Sequence, residues 1–474
     1  MTDSIVFALM PLLILAFTSL AVMIGIAIKR NHLVAAVLSF VGIAASFISL
    51  WPAFSAAPAR VTALLIVDQY ALVYMALILV ASAAVVLLSF PYLACRSEHK
   101  EEFYLLLILA TVGSMVLAAS SHMVSLFLGL ELLSISLYTL ISYPRTEALP
   151  VEAGIKYLVL AASSSAFLLF GLALLYVANG SMDFARMVGA SPDIAGGFVP
   201  LAGMVLVVTG IGFKLAVVPF HLWTPDVYQG APLPVAAFIA TVSKGGVFAF
   251  LLRWLWIGGP ASRTLLLVFG IIAIASMLTG NLLALRQTNV KRLLAYSSIA
   301  HMGYFLVAVV AGGDLGRAAA TYYLAAYMVT ILGAFGSLLA LSSGARDAET
   351  FDDIRGLFWR RPLLAAVFTA MVLSLAGIPL TAGFLGKFYV LTAGASAAVW
   401  ALVMVLIVTS TIGLVYYLRV IVAMFSEPER AQLEVEAPVP GVIFGMTLTV
   451  LTSTLLILGV YPGPFWDTIR AAAP

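Results

Sequence analysis

Charge is scarce in this chain and cysteine is almost missing. Of its 474 residues only 9% are Asp, Glu, Lys or Arg, where a soluble domain carries roughly 25%. That shortage excludes an ordinary soluble enzyme and a disordered protein. The 24 Lys and Arg nearly balance the 21 Asp and Glu, leaving a formal net charge of +3. No one-signed field is available to capture a charged polymer, so nucleic acid is excluded as a partner. The single cysteine, Cys95, cannot close an internal disulfide, hold an iron–sulfur cluster or complete a zinc site. Any redox cofactor held by cysteine therefore belongs to another chain.

What the chain has in excess is apolar length. Hydrophobic residues make up 63% of it, and the mean hydropathy is +1.13. A helix crosses a hydrocarbon core of about 30 Å with roughly 20 apolar residues. The first such stretch, near Ile5 to Ile28, is longer than a signal h-region and lacks a small-residue cleavage site, so it reads as a retained span. Further stretches follow near 33–50, 71–94, 103–119, 123–142, 154–178, 201–218, 232–256, 264–285, 293–311, 318–341, 363–390, 397–425 and 439–460. The expected fold is an all-α polytopic membrane protein with about fourteen transmembrane helices. The longest polar connections, near Ser342–Arg361 and Ser426–Ala437, are too short to fold alone.

Orientation follows from the Lys and Arg in short loops. Odd-numbered loops hold fourteen: Lys29, Arg30, Arg96, Lys100, Arg145, Lys156, Arg286, Lys291, Arg292, Arg346, Arg355, Arg360, Arg361 and Arg430. Even-numbered loops and the termini hold five: Arg60, Arg186, Arg263, Arg317 and Arg470. The odd loops are expected on the cytoplasmic face, with both termini periplasmic.

A few charges fall inside the spans themselves. Lys214 lies in the seventh stretch, Lys244 in the middle of the eighth and Lys387 late in the twelfth, while Glu131 lies deep in the fifth. A cation at the bilayer centre costs about 2.5–3.5 kcal/mol even on the mildest scale. Such lysines must be paired, hydrated or turned to a cavity. The plainer alternative is an ion pair that fixes helix register. Lys387, nearer a helix end, has the further option of snorkelling to the interface.

Polar residues line up beside these charges. Glu131, Ser134 and Tyr138 share one helix face, as do Ser297, His301 and Tyr304; Thr241 precedes Lys244 by one turn, and Thr409, Tyr416 and Arg419 are aligned. Each stripe alone is compatible with helix glue. These polar faces, taken together with Lys214 and Lys387, read as a proton relay through Glu131, Lys214, Lys244, His301 and Lys387. Desolvation favours the neutral amine of a lysine and a nearby carboxylate favours the ammonium. A Lys214–Glu131 pair that forms and separates would thus switch the lysine between holding and releasing a proton.

Two spans are interrupted by proline, in IGFKLAVVPFHLWTPD at Pro219 and in LAGIPLTAGFLGKF at Pro379. Interrupted helices at corresponding places of two halves point to an ion site in inverted-repeat transporters. Spans four to eight and nine to thirteen would be such halves, with five helices each, an odd number, so that the second is expected to be inverted. The expected organisation is an N-terminal three-helix segment over 1–102, a first repeat over 103–256, a second over 257–425 and a C-terminal helix over 426–474.

The segments GFKLAVVPFHLWTPDVYQGAPLPVAAFIATVSK (212–244), RQTNVKRLLAYSSIAHMGY (286–304), GLELLSISLYTLISYPR (129–145) and GIPLTAGFLGKF (377–388) resemble the N-type, antiporter-like subunits in the membrane arm of bacterial NADH:ubiquinone oxidoreductase, complex I. With the span count, the resemblance covers essentially the whole chain. It implies two inverted five-helix repeats with discontinuous seventh and twelfth helices. It also implies proton translocation driven by electron transfer from NADH to quinone elsewhere in the complex. By the same resemblance Glu131 matches the fifth-helix glutamate of an ion pair, Lys214 the seventh-helix lysine, Lys244 the central eighth-helix lysine and Lys387 the twelfth-helix residue at the proton exit. No cofactor is then expected on this chain; FMN, iron–sulfur clusters and most of the quinone chamber belong to partner subunits. The partners are the other membrane-arm subunits, the lipid bilayer and protons, in a bacterial inner (plasma) membrane.

Relatives of the same fold supply the rivals. One is a subunit of a multi-subunit Na⁺(K⁺)/H⁺ antiporter, against which stands the lack of carboxylates other than Glu131 deep in the spans. Another is a subunit of a hydrogenase or of a ferredoxin- or F420-dependent complex, separated only by its partners. A third is a scaffold whose charges merely hold helices together.

Overall fold

The computed structural model describes residues 2–96, 99–189, 197–256, 263–342, 346–427 and 441–472. Arg430, and with it most of the 426–437 connection, lies outside them. In lipid every backbone N–H and C=O must be satisfied within its own segment, so the apolar stretches become helices. They run α1 (Thr2–Ile28), α2 (His32–Ile48), α3 (Leu50–Ala56), α4 (Gln69–Ala94), α5 (Glu101–Ala119), α6 (Met123–Ile141) and α7 (Ala148–Asn179), then a short α8 (Phe184–Gly189) and α9 (Phe198–Leu215). After α10 (Trp223–Gly230), the next span is α11 (Leu233–Phe238), a π-turn over Ile239–Ser243 and α12 (Lys244–Trp256). The remainder is α13 (Arg263–Ala284), α14 (Val290–Ala311), α15 (Gly313–Leu341), α16 (Phe351–Ile354), α17 (Leu357–Arg360), α18 (Pro362–Ala376), α19 (Ala382–Ser396), α20 (Trp400–Phe425), α21 (Val442–Val460) and α22 (Gly463–Ala471). A small antiparallel hairpin, β1 (Ala59–Val61) on β2 (Leu65–Val67), follows α3 and was not anticipated from the sequence.

Thirteen of these spans, among the described residues, are long and apolar enough to cross a membrane. The chain is an all-α polytopic membrane protein. The stretch 363–390, expected to be interrupted at Pro379, is two helices, α18 and α19, of 15 residues each. Its interruption has a local cause: Gly377 turns the backbone left-handed at φ 86°, and Pro379 offers no N–H to continue the ladder.

The molecule is organised around three helices. The span from Leu233 to Trp256 is buried along its whole apolar window, and α14 and α15 nearly so. A helix apolar on every side is stable only when surrounded. Outer helices such as α2, α7 and α21 keep apolar faces exposed, with Val41, Val159 and Val450 outward. Close packing brings α14 into place: a Cβ on Gly280 of α13 would meet the backbone N of Ala300 at 2.6 Å, and one on Gly303 would meet the carbonyl of Ala273 at 2.8 Å. Small residues at these crossings let the backbones touch. The start of α14 is set by Asn289, whose side chain accepts from the Arg292 N–H at 3.0 Å.

Candidate functional site

Two chain breaks and one bulge carry Lys214, Lys387 and Lys244. The first break follows α9. Ala216 adopts a left-handed φ of 61° and its N–H closes onto the last turn, so α9 stops at Leu215. The carbonyl of Phe213, which takes that N–H, also accepts from the indole Nε1 of Trp223 at 3.0 Å. Lys214, in the last turn, has the favourable end of the helix dipole for a cation. Its side chain is buried and donates to Ser134 Oγ on α6 at 2.6 Å. Ser134 in turn donates to the Leu130 carbonyl at 2.5 Å.

The second break lies between α18 and α19, and Lys387 fills it. Its ammonium donates to the carbonyls of Leu375 and Ala376, each at 2.9 Å, and to Ser410 Oγ on α20 at 2.9 Å. Those two carbonyls end α18 and have no helical partner of their own. Gly377 makes the approach possible, since a Cβ there would stand 2.9 Å from the lysine Cδ. Thr381 caps α19 and keeps the second half-helix regular, accepting from the Phe384 N–H at 3.4 Å.

Between the breaks, at the first residue after the π-turn, stands Lys244, with 1% of its surface exposed. It donates to Ser298 Oγ on α14 at 2.6 Å and lies 5.7 Å from the ring centroid of Tyr228. Ser298 also bonds the Tyr327 hydroxyl on α15 at 2.5 Å. One turn further along α14, His301 is held on both ring nitrogens: Nδ1 with the Tyr323 hydroxyl at 2.7 Å, Nε2 with the Tyr417 hydroxyl at 3.1 Å. Tyr417 bonds Ser297 as well. Beside it, Asn281 donates to the Tyr304 hydroxyl at 2.9 Å and accepts from Tyr416 at 3.0 Å. The Tyr304 ring centroid is 5.3 Å from the Lys387 ammonium. A file of hydroxyls, imidazole and amide thus lies between Lys244 and Lys387.

Lys214 and Glu131 stand apart in this structure: the ammonium rests on Ser134, one turn away from Glu131 on the same face of α6, and the Glu131 Oε1 is buried with no protein hydrogen bond. Lys387 does not snorkel, because the ends of α18 offer it carbonyls inside the protein. Of the aligned polar residues, Thr241 and Thr409 give their hydrogens to their own helices, at Ala237 and Val405, and Arg419 reaches out to the Leu285 carbonyl beyond α13. Among the described residues no side-chain hydrogen bond joins the Lys214–Ser134 group to the Lys244 group.

Other buried charges escaped the sequence reading. Arg253, also 1% exposed, is gripped by Asp68 through two hydrogen bonds of 2.8 and 2.6 Å, and its Nε donates to the Ala118 carbonyl at 3.2 Å. Lys291, assigned to a loop, is buried at the start of α14 and pairs with Asp347 at 3.1 Å, which also pairs with Arg96 at 2.5 Å. In the connection before α18, burial raises the Asp353 carboxyl. The N–H groups of Thr350 and Glu349, the Thr350 hydroxyl and Arg346 outweigh that and hold it below the usual aspartate range. No group of three or more His, Cys, Asp or Glu gathers as a metal site among the described residues.

Comparison with known proteins follows the same lines. Residues 120–413 match the family described as NADH:quinone oxidoreductase/Mrp antiporter, TM. The chain is 49% identical to the NADH-quinone oxidoreductase subunit N of Ectopseudomonas mendocina (strain ymp), over 98% of this chain and 96% of that one. It superposes on a chain of the respiratory complex I of Thermus thermophilus with a TM-score of 0.84 and 33% identity, covering 98% and 100% of the two chains. A chain of the Mrp complex from Dietzia sp. shares the fold, with a TM-score of 0.86 at 22% identity over 100% and 97%.

Proposed function

The chain belongs to the NADH:quinone oxidoreductase/Mrp antiporter transmembrane family, and from that premise we propose that it moves protons across the membrane as a membrane-arm subunit of a complex I. It is a multi-pass protein of the bacterial inner membrane. Electron transfer from NADH to quinone, with its flavin and clusters, takes place on partner subunits. This chain contributes the proton path.

The observation that carries the reading is the company of Lys214, Lys244 and Lys387, the three buried lysines that the sequence places inside the spans. Lys214, Lys244 and Lys387 contact hydroxyls and carbonyls, and among the described residues none forms an ion pair. An unpaired ammonium in a dry interior is costly, so such a group is poised to give up its proton when its surroundings change. Lys214 and Glu131 form one end of the relay, Lys244 its centre, His301 the link and Lys387 the far end. Approach of Glu131 to Lys214 would favour the ammonium, and withdrawal to the geometry described here would favour release.

The finer architecture belongs to the same reading. We take α18 and α19 as one interrupted crossing, giving fourteen crossings in all. The breaks then fall in the fourth helix of each five-helix half, over 103–256 and 257–425, as inverted repeats require. The segments 1–102 and 426–474 flank them, the odd loops are cytoplasmic and both termini periplasmic.

The test is pumping by variants in the assembled complex, after affinity purification has identified the partner subunits. Lys214→Ala lowers NADH-driven proton pumping with the complex still assembled. Lys214→Arg substitutes poorly, because arginine keeps its proton at any accessible pH. Normal pumping by assembled Lys214→Ala would sink the relay. Partners that are small membrane subunits without NADH:quinone activity would move the chain to a cation/proton antiporter.

A further inference from the structure

We propose that Ser298, with Tyr327, is the positioning pair that reports the charge of Lys244 to the rest of the relay, by reversing the direction of two hydrogen bonds. The inference rests on the reading of Lys244 as a proton carrier and adds two residues to it.

Ser298 differs from three other buried hydroxyls of the polar faces. Ser134, Thr241 and Thr409 donate to the carbonyl four residues back, at Leu130, Ala237 and Val405, which uses up their only hydrogen. Ser298 makes no such bond. It is fully buried, and its partners are the Lys244 ammonium at 2.6 Å, the Tyr327 hydroxyl at 2.5 Å and, more distantly, the Tyr228 hydroxyl at 3.5 Å. A serine hydroxyl has one hydrogen and two lone pairs. The state of Lys244 therefore decides where that hydrogen goes.

An ammonium has three donors and no lone pair. Lys244 then donates to Ser298, and Ser298 directs its hydrogen to Tyr327. A neutral amine has a lone pair to offer. Ser298 then turns its hydrogen to Lys244 and accepts from Tyr327. The reversal needs only rotation of two O–H groups and no change of covalent bonds. Tyr327 is the right neighbour to receive it, because its ring lies 5.3 Å, centroid to centroid, from the imidazole of His301, the next group of the file. Ser298 and His301 are three residues apart on one face of α14.

The experiment compares Ser298→Ala, Ser298→Thr, Tyr327→Phe and the Ser298→Ala/Tyr327→Phe double variant in the purified, assembled complex reconstituted into vesicles, with the amount of assembled complex measured for each. Ser298→Ala is expected to slow NADH-driven proton pumping about tenfold, the scale of one hydrogen bond to a charged group. Ser298→Thr, which keeps the hydroxyl, restores much of the rate. The double variant is no slower than the slower single one, as for two groups acting in one chain. Unchanged pumping in Ser298→Ala, no rescue by Ser298→Thr, or losses that multiply in the double variant would each overturn the proposal. Should Ser298→Ala not assemble, Tyr327→Phe decides alone, since it keeps the ring and removes only the hydroxyl: normal pumping refutes, a loss supports. Lys244→Met separates the two readings. If it pumps normally the relay itself fails; if it is inactive while Ser298→Ala pumps normally, only the role of Ser298 fails.

Discussion

Lys244 and Arg253 stand on the same helix, each 1% exposed, and the protein treats them in opposite ways. Arg253 meets a full carboxylate in bidentate geometry, a backbone carbonyl and the face of Tyr70. Lys244 meets one serine and the edge of a tyrosine cluster. A guanidinium clamped by a carboxylate stays charged and ties helix to helix. An amine held by a hydroxyl can exist with or without its proton, because the hydroxyl serves either form. Burial depth therefore says little about role in this molecule; the partner says more. Lys291 and Arg96, joined through Asp347, belong with Arg253, whereas Lys214 and Lys387 belong with Lys244.

That division can be broken from either side. The largest effect is expected for Asp68→Ala, which strands Arg253 without its counter-charge at a cost of about 3–5 kcal/mol and also removes the N-cap of α4. The assembled complex should largely disappear from membranes, as read by native electrophoresis. Normal assembly with impaired pumping would place Asp68 in the relay instead. Lys387→Met should do the reverse, leaving assembly near normal and pumping close to background; loss of assembly would make Lys387 a structural cap of α18. Glu131→Gln should give a partial loss of pumping, smaller than that of Lys214→Ala, because the carboxylate acts on Lys214 across space and not through a bond. Equal losses in the two variants would require a direct pair during turnover.

The smallest effect is expected for Asp353→Asn, at about 1 kcal/mol for a weakened capping box. The sign of its pH dependence follows from the lowered carboxyl. The contribution is present above the ordinary aspartate value of about 3.9 and is lost as the pH falls through the lower value of the folded state. Thermal unfolding of wild type and variant should converge at acid pH; a constant gap would assign the effect to packing.

Much of this was legible because apolar length and proline punctuation act locally. The spans, the breaks at Pro219 and Pro379 and the depth of Lys214, Lys244 and Glu131 all follow from the order of residues. The partners were less legible, and the misses share a form. The aligned stripes contain Ser297, Tyr416 and Thr409, whereas the groups that touch Lys244, His301 and Lys387 include their chain neighbours Ser298, Tyr417 and Ser410. Adjacent residues on a helix differ by about 100° of rotation, and only the packing of neighbours decides which of two polar residues faces the lysine. Tyr323 and Tyr327, four apart on α15, form a stripe readable from the sequence, though no charge on their own span marks it. Asp68 gives no sign of its role in sequence, because it ends a loop and is half-buried only when Arg253 folds onto it.

The wide turn at Ile239–Ser243 makes residue number, not hydropathy, the critical property of its span. A π-turn holds one more residue than the α-turn it replaces. Every side chain after it is thereby indexed about 100° away from where an unbroken helix would carry it. Losing a single residue there would leave the span apolar, helical and long enough for the bilayer, yet would swing Lys244 off Ser298. Conservative substitutions in these five positions are cheap in apolar terms, while a change of one in their count resets the phase of the whole helix beyond.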